Sequence, residues 1–210
     1  MVGPRGRHCG AADPPRLPPP LGRALQQVKV VRACDHKRTP WKNGGGSTVE
    51  LCRDEGDGPD GFGWRLSIAD IAEPGPFSAF AGYERVITVL EGQGMVLTVD
   101  GLDTAPLQAF QPFAFSGASH VSCTLVDGPI RDFNLIYSPA RYQAVLKWIS
   151  ATHLVDATPA TQVVFAAQDS VQVVVAGSTW QLERYDALVL PPHTCAQVTG
   201  HACHITLMPR

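Results

Sequence analysis

Three short runs of the chain set polar side chains at alternate positions, opposite apolar rows. In Thr48–Leu51, Thr48 and Glu50 share one face and Val49 and Leu51 the other. In Trp64–Ala69, Arg65 and Ser67 lie opposite Trp64, Leu66 and Ile68. In Asp132–Tyr137, Asp132 and Asn134 lie opposite Phe133, Leu135 and Tyr137. Arg85 opens a fourth run that is otherwise apolar. A strand turns successive side chains to opposite faces, so each polar pair would share one side of a sheet. Arginine forks can hold a carboxylate through two parallel hydrogen bonds. Asp132 and Asn134 could read an amide or an amine, or could orient the arginines. Two surroundings fit these faces. One is solvent, as on any half-exposed antiparallel sheet. The other is the inside of a barrel, where the faces would converge into a polar pocket with apolar walls. The residue types lean toward the barrel, because solvent faces usually carry Lys, Glu and Thr, whereas Arg, Ser, Asp and Asn hold fixed hydrogen-bond geometry.

A second feature is Trp41-Lys42-Asn43-Gly44-Gly45-Gly46. Consecutive glycines let the backbone approach a ligand closely, and their amides could form an anion-binding nest. Lys42 adds a charge and Asn43 a directional amide. A flexible glycine loop explains the same residues. The order of a phosphate-cradling P-loop is absent. His193, His201 and His204 crowd the C-terminus, but their spacing matches no zinc pattern and no carboxylate accompanies them at strand or helix spacing. His120 and His153 are isolated. No nucleophile elbow or triad spacing is present. A carboxylate beside arginines is expected to stay ionised, which makes Glu50 or Asp132 a poor base near neutral pH.

These side chains need a strand-rich scaffold, and the composition supplies one. Charged residues are 17% of the 210, against a usual level of about 25%. Glycine (20) and proline (18) are abundant, which suits many short strands joined by turns. A net charge of −2 points to neither nucleic acid nor an anionic membrane as partner. Six scattered cysteines without a C-x-x-C pair, and no apolar leader or membrane-length run, predict a soluble cytoplasmic protein with reduced thiols. Residues 1–25, rich in Pro, Gly and Arg, predict a disordered tail. From Val28 onward short β-rich runs alternate with turns such as Arg53–Gly61, Glu73-Pro74-Gly75-Pro76, Glu91–Gly94 and Asp100-Gly101. One helix is expected after Ser138 and Pro139. Tyr142, Val145, Leu146 and Ile149 there fall at i, i+3, i+4 and i+7. A loose internal echo relates Met95–Phe115 to Val171–Leu190: an apolar run closing on Gly, then a strand after an aromatic. It suggests two related β-barrel units.

Six motifs in order make the chain resemble the HutD/Ves family. They are Trp41-Lys42-Asn43-Gly44-Gly45-Gly46-Ser47-Thr48-Val49-Glu50, Trp64–Ala69, Gly75-Pro76-Phe77-Ser78, Phe80–Arg85, Leu90-Glu91-Gly92-x-Gly94 and Gly128-x-x-x-Asp132-Phe133-Asn134. The resemblance implies a mainly β bicupin fold: two cupin, jelly-roll-like barrels with one short connecting helix. The domains would be a cupin-like N-terminal barrel with the pocket at 26–138 and a C-terminal half at 139–210. It also implies a role in histidine utilisation, in which a small anionic metabolite such as N-formylglutamate or urocanate is bound and pathway output limited. The ligand-binding candidates are Lys42, Asn43, Gly44, Gly45, Thr48, Glu50, Arg65, Ser67, Arg85, Asp132 and Asn134. Metal cupins place two histidines and a glutamate around the hairpin that Gly82-Tyr83-Glu84-Arg85 enters, and no histidine stands there. Binding without cofactor or metal is therefore expected ahead of catalysis, with a metal-dependent isomerase or dioxygenase as the alternative. Cupins that pair barrels across subunits admit a homodimer by analogy.

Overall fold

The computed structural model describes residues 28–41, 44–54 and 61–210. The expected tail and most of the Arg53–Gly61 turn therefore lie outside the described residues, and Arg53 itself ends a strand. Apart from one 3-10 turn at Ala33–Asp35, every element among the described residues is a strand. In chain order the first are β1 (Lys29–Val31), β2 (Arg38–Pro40), β3 (Gly46–Arg53), β4 (Trp64–Ile71), β5 (Gly75–Pro76), β6 (Glu84–Glu91), β7 (Met95–Val99), β8 (Leu102–Asp103), β9 (Phe113–Ser116), β10 (Val121–Leu125) and β11 (Ile130–Tyr137). The rest are β12 (Tyr142–Ile149), β13 (His153–Val155), β14 (Thr161–Ala166), β15 (Val171–Val175), β16 (Ser178–Leu182), β17 (Ala187–Leu190), β18 (Ala196–Thr199) and β19 (Ala202–Pro209).

The strands form four sheets. A six-stranded sheet, β2-β3-β4-β11-β6-β9, faces a four-stranded one, β5-β10-β7-β8. A five-stranded sheet, β1-β17-β14-β19-β12, faces β13-β18-β15-β16. Adding eight to each strand of β4-β11-β6-β9 gives β12-β19-β14-β17, and the same step turns β5-β10-β7-β8 into β13-β18-β15-β16. The internal repeat is thus a repeat of topology, strand for strand.

Three apolar layers hold the sheets together. Ile71, Ile87, Val89, Met95, Leu97 and Phe115 fill part of the first half. Val164, Val171, Val173, Leu188, Leu190 and Val198 fill the second. Between the halves, Trp64, Leu66, Ile68, Phe133 and Leu135 of the six-stranded sheet pack on Val163, Phe165, Cys203, Ile205 and Leu207 of the five-stranded one. Phe133 and Phe165 stack there with centroids 4.5 Å apart. Full burial of such side chains stabilises by about 1.5–3 kcal/mol each, so this layer binds the halves firmly.

The structure overturns two expectations. The helix is absent: Tyr142–Ile149 is β12, paired with β19 from Tyr142↔Pro209 to Ile149↔Ala202. Ser138 and Pro139 begin a single turn, in which the Arg141 and Tyr142 amides donate to Ser138 O at 3.1 and 2.9 Å. The chain then extends. Its inward row is Tyr142, Ala144, Leu146 and Trp148, all packed against the layer between the halves. Two apolar residues break this alternation: Val145 is 57% exposed, and Ile149 is buried in the second half's core. Second, β1 is not part of the first half. It pairs with β17, Lys29 opposite Val189 to Val31 opposite Ala187. Val28 and Val30 pack into the second half's core.

Candidate functional site

The polar faces of β3, β4, β6 and β11 meet because these strands are neighbours in one sheet. Asn134 sits opposite Ser67 on β4, which in turn sits opposite Glu50 on β3. Asp132 and Thr48 both sit opposite Ala69. Ile136 lies between Arg65 and Arg85. The apolar reverse face is covered by the second half, so the polar face looks into the first barrel rather than at solvent. There it floors a cavity of about 660 Å³. Thr48, Glu50, Arg65, Ser67, Arg85, Asp132 and Asn134 all line it.

The other walls, Trp41 of the glycine segment apart, were not among the residues the sequence singled out. Phe77, Ser78 and Phe80 come from the segment after β5, and Lys37, Thr39, Pro40 and Trp41 from β2 and its flanks. Phe77 and Phe80 stand within quoted motifs, yet their turn-like surroundings gave no period from which an inward direction could be read.

Arg85 is the centre of the site. It is 7% exposed. Its Nη2 donates to Asn134 Oδ1 at 2.7 Å and its Nη1 to Ser78 O at 3.1 Å. Its Nε has no hydrogen-bond partner among the described residues. The guanidinium carbon lies 5.4, 5.3 and 5.0 Å from the ring centroids of Phe77, Phe80 and Phe115. Burial pulls Arg85 down to about 10, with Asp132 opposing and Arg65 adding to the shift, so it stays charged at neutral pH. Arg65 approaches the same Phe80 ring at 5.1 Å and the Phe62 ring at 4.9 Å.

Behind Arg85 runs a short polar chain. Asn134 Nδ2 donates to Asp132 Oδ1 at 2.8 Å, which fixes the amide with its oxygen toward the arginine. Asp132 is 1% exposed. Burial pushes its carboxyl up to about 7, against the lowering effects of Arg85, the Ala69 N–H and Asn134. This corrects the expectation of a firmly ionised carboxylate: desolvation outweighs the neighbouring cation. With Asp132 only partly ionised near neutral pH, the buried Arg85 guanidinium is left with a weakened counter-charge.

The glycine segment plays a different part from the nest considered above. Lys42 and Asn43 lie outside the described residues. Gly44 and Gly45 do not border the cavity. The Gly44 amide donates to Trp41 O at 3.1 Å, and Gly45 O accepts from Ala72 N at 3.0 Å. Gly44 has φ +77°, a left-handed conformation that glycine adopts readily. A Cβ on Gly46 would stand 2.3 Å from Asp70 O and 2.9 Å from the Trp41 ring. Gly44 and Gly46 seat Trp41, whose amide donates to Gly46 O at 2.9 Å and whose Nε1 donates to Thr48 Oγ1 at 2.7 Å. Glu50 is at the exposed rim, with Oε1 3.6 Å from Arg53 Nε.

The C-terminal histidines disperse. His201 packs edge-on against Phe110, with centroids 4.2 Å apart. His204 reaches His153 Nε2 at 3.1 Å and Gln162 Oε1 at 3.0 Å, so His153 is not isolated. The His193 amide donates to Thr158 O. Among the described residues no three His, Cys, Asp or Glu side chains converge as metal ligands. Cys34, Cys52, Cys123, Cys195 and Cys203 form no disulfide. No helix among the described residues is long and apolar enough to cross a membrane.

Comparison with known proteins agrees with this architecture. The HutD family model matches residues 33–207. A 21.2 kDa protein from the hutC 3' region of Pseudomonas putida is 52% identical over 190 residues, covering 89% of this chain and 100% of that protein. Protein Ves of Citrobacter koseri is 39% identical over 143 residues, 68% of this chain and 69% of its own. The solved structure of HutD from Pseudomonas fluorescens SBW25 is 53% identical, with a TM-score of 0.80 over 87% of this chain and 99% of that one. Salicylate 1,2-dioxygenase from Pseudaminobacter salicylatoxidans, a bicupin enzyme, is 9% identical with a TM-score of 0.53 over 69% of this chain and 70% of that one; it shares the fold alone. The fold is therefore mainly β and cupin-like, and the chain belongs to the HutD family.

Proposed function

We propose that the cavity binds a small anionic metabolite of histidine degradation, N-formylglutamate or urocanate, through side chains alone, and that its occupancy regulates histidine utilisation. The observation that carries this is Arg85: a cation 7% exposed, with an Nε that has no partner among the described residues, beside a second guanidinium. A buried charge without full compensation is costly, and a bound carboxylate relieves that cost. Thr48, Ser67 and Glu50 on the same floor offer hydroxyls and an acceptor to the rest of the molecule. Phe77, Phe80 and Trp41 supply flat apolar walls. The pathway is supported by the HutD name of the family and by the hutC 3' region from which the Pseudomonas putida relative comes.

Calorimetric titration with N-formylglutamate, urocanate and glutamate tests the proposal, alongside Arg85→Gln. The expected result is binding by at least one of the first two, with a matching rise in melting temperature, and loss of both effects in Arg85→Gln. No heat and no stabilisation at millimolar ligand would overturn it. The raised Asp132 carboxyl favours a second reading, a metal-free enzyme with Asp132 as general base. That reading requires turnover of a bound carboxylate that disappears in Asp132→Asn.

A further inference from the structure

One wall of the cavity is carried by a segment anchored in the other half of the molecule. β1 is built into the second half's sheet. Immediately after it, Asp186 gathers the chain. Its Oδ2 accepts from Arg32 Nη1 at 2.6 Å and its Oδ1 from the Ala33 amide at 2.8 Å. Oδ2 also accepts from the Glu183 amide at 3.0 Å, which ties the same carboxylate to its own loop. Asp186 is 3% exposed. Arg32 Nη1 further donates to Gln181 O at 3.0 Å. After the 3-10 turn the segment crosses to the first half as β2.

There it is held by a single ladder and by the exposed Arg38, whose Nη1 donates to Ser47 Oγ at 3.0 Å and pairs with Asp70. β2 pairs only with β3, through Arg38↔Val49, Thr39↔Thr48 and Pro40↔Ser47, and all three of its residues are exposed. Yet Lys37, Thr39, Pro40 and Trp41 line the cavity. An exposed three-residue edge strand has few apolar contacts to hold it and opens readily unless its ends are fastened. Trp41 fastens one end, through Thr48 and Gly46 O. The other end is fastened at Asp186, in the half that does not contain the cavity.

We infer that Asp186 is a positioning residue for the ligand cavity: by clamping Arg32 and Ala33 it sets the wall formed by Lys37–Trp41, so the second half controls how tightly the first half closes on its ligand. This rests on the ligand-binding role proposed above and adds a remote residue that touches no ligand. Loss of the clamp would leave the cavity floor, with Arg65, Arg85 and Asn134, in place. It would let the wall open and raise the dissociation rate.

The test uses the full chain with Asp186→Asn, Arg32→Gln and Arg32→Lys. Hydrogen–deuterium exchange is followed in Lys37–Trp41 and, as a reference, in β15 and β18, and N-formylglutamate and urocanate binding is titrated. Asp186→Asn should speed exchange in Lys37–Trp41 while β15 and β18 stay protected. Affinity should fall about tenfold, a normal coupling strength, through the dissociation rate. Arg32→Gln, which leaves Asp186 in place, should show a smaller change in the same direction, and Arg32→Lys should restore most of it. Should Asp186→Asn not fold, the Arg32 pair decides the matter alone. Unchanged exchange in Lys37–Trp41 would overturn the inference, as would faster exchange there with unaltered affinity. If the unsubstituted protein binds neither metabolite, the ligand reading fails, and the exchange data still decide whether Asp186 holds the wall.

Discussion

Replacing Asp132 by Asn should make the protein more stable at alkaline pH and leave it no more stable in acid. The Asp132 carboxyl is 1% exposed and is pushed from 3.8 to about 7, chiefly by burial. The folded state thus prefers the protonated form. Below pH 3.8 folded and unfolded chains both hold the proton, and the preference costs nothing. Between pH 3.8 and about 7 the unfolded chain releases its proton while the folded one keeps it, so stability falls as pH rises. At about 1.4 kcal/mol per pH unit, the loss levels off near 4 kcal/mol above pH 7. Asn keeps the shape and can still accept from the Asn134 amide, but it cannot also serve the Ala69 N–H, a loss of about 1 kcal/mol. The net gain at pH 8 is about 3 kcal/mol. Urea unfolding of both proteins, followed by tryptophan fluorescence from pH 3.5 to 9, gives the difference directly and cancels the other carboxylates. Parallel profiles would refute the claim that burial holds this proton. The same group links binding to protons. A carboxylate placed on Arg85 further disfavours ionised Asp132, so binding at pH 7.5 should take up protons, seen as a heat that differs between phosphate and Tris buffers.

Three further outcomes follow from the packing. Gly46→Ala should lower stability by about 1–3 kcal/mol in a denaturant melt, because its Cβ would strike Asp70 O and the Trp41 ring. Phe165→Ala should cost about 3–5 kcal/mol, since Phe165 is wholly buried between the halves; a loss under 1 kcal/mol would mean the halves do not depend on that contact. His204, drawn down to about 4 by burial, then by His153 and Lys147, should act oppositely to Asp132. The unfolded chain takes up a proton below pH 6.5 while folded His204 resists it to about 4, so stability falls with acid across that window. His204→Gln should flatten this limb of the acid-unfolding curve.

Much of the cavity floor could be read from alternation. Arg65 and Ser67 stand opposite Trp64, Leu66 and Ile68 in the chain, and they do so in the sheet. The walls could not be read this way. Phe77 and Phe80 lie in an irregular segment, and Lys37 and Thr39 reach the cavity only because β2 pairs with β3. The segment 142–149 shows how local pattern misleads. Tyr142, Val145, Leu146 and Ile149 satisfy a helical period, while Tyr142, Ala144, Leu146 and Trp148 satisfy an alternating one. Pairing with β19 decides between them, since an eight-residue ladder supplies the backbone hydrogen bonds that a helix would otherwise make internally.

The sequence by itself determined which residues share a face, where the chain turns, and the family to which its motifs belong. Only the tertiary structure decided what each face meets. The polar face of β4 and β11 points into a barrel because the second half covers the apolar side, a contact between segments distant in the chain, as where Phe133 stacks on Phe165. The proton on Asp132 and the charge on Arg85 are likewise set by burial, which depends on every element packed around them and not on their neighbours in the chain. Alternation is a property of the backbone and survives in any surroundings. Desolvation and strand pairing exist only once distant segments have met.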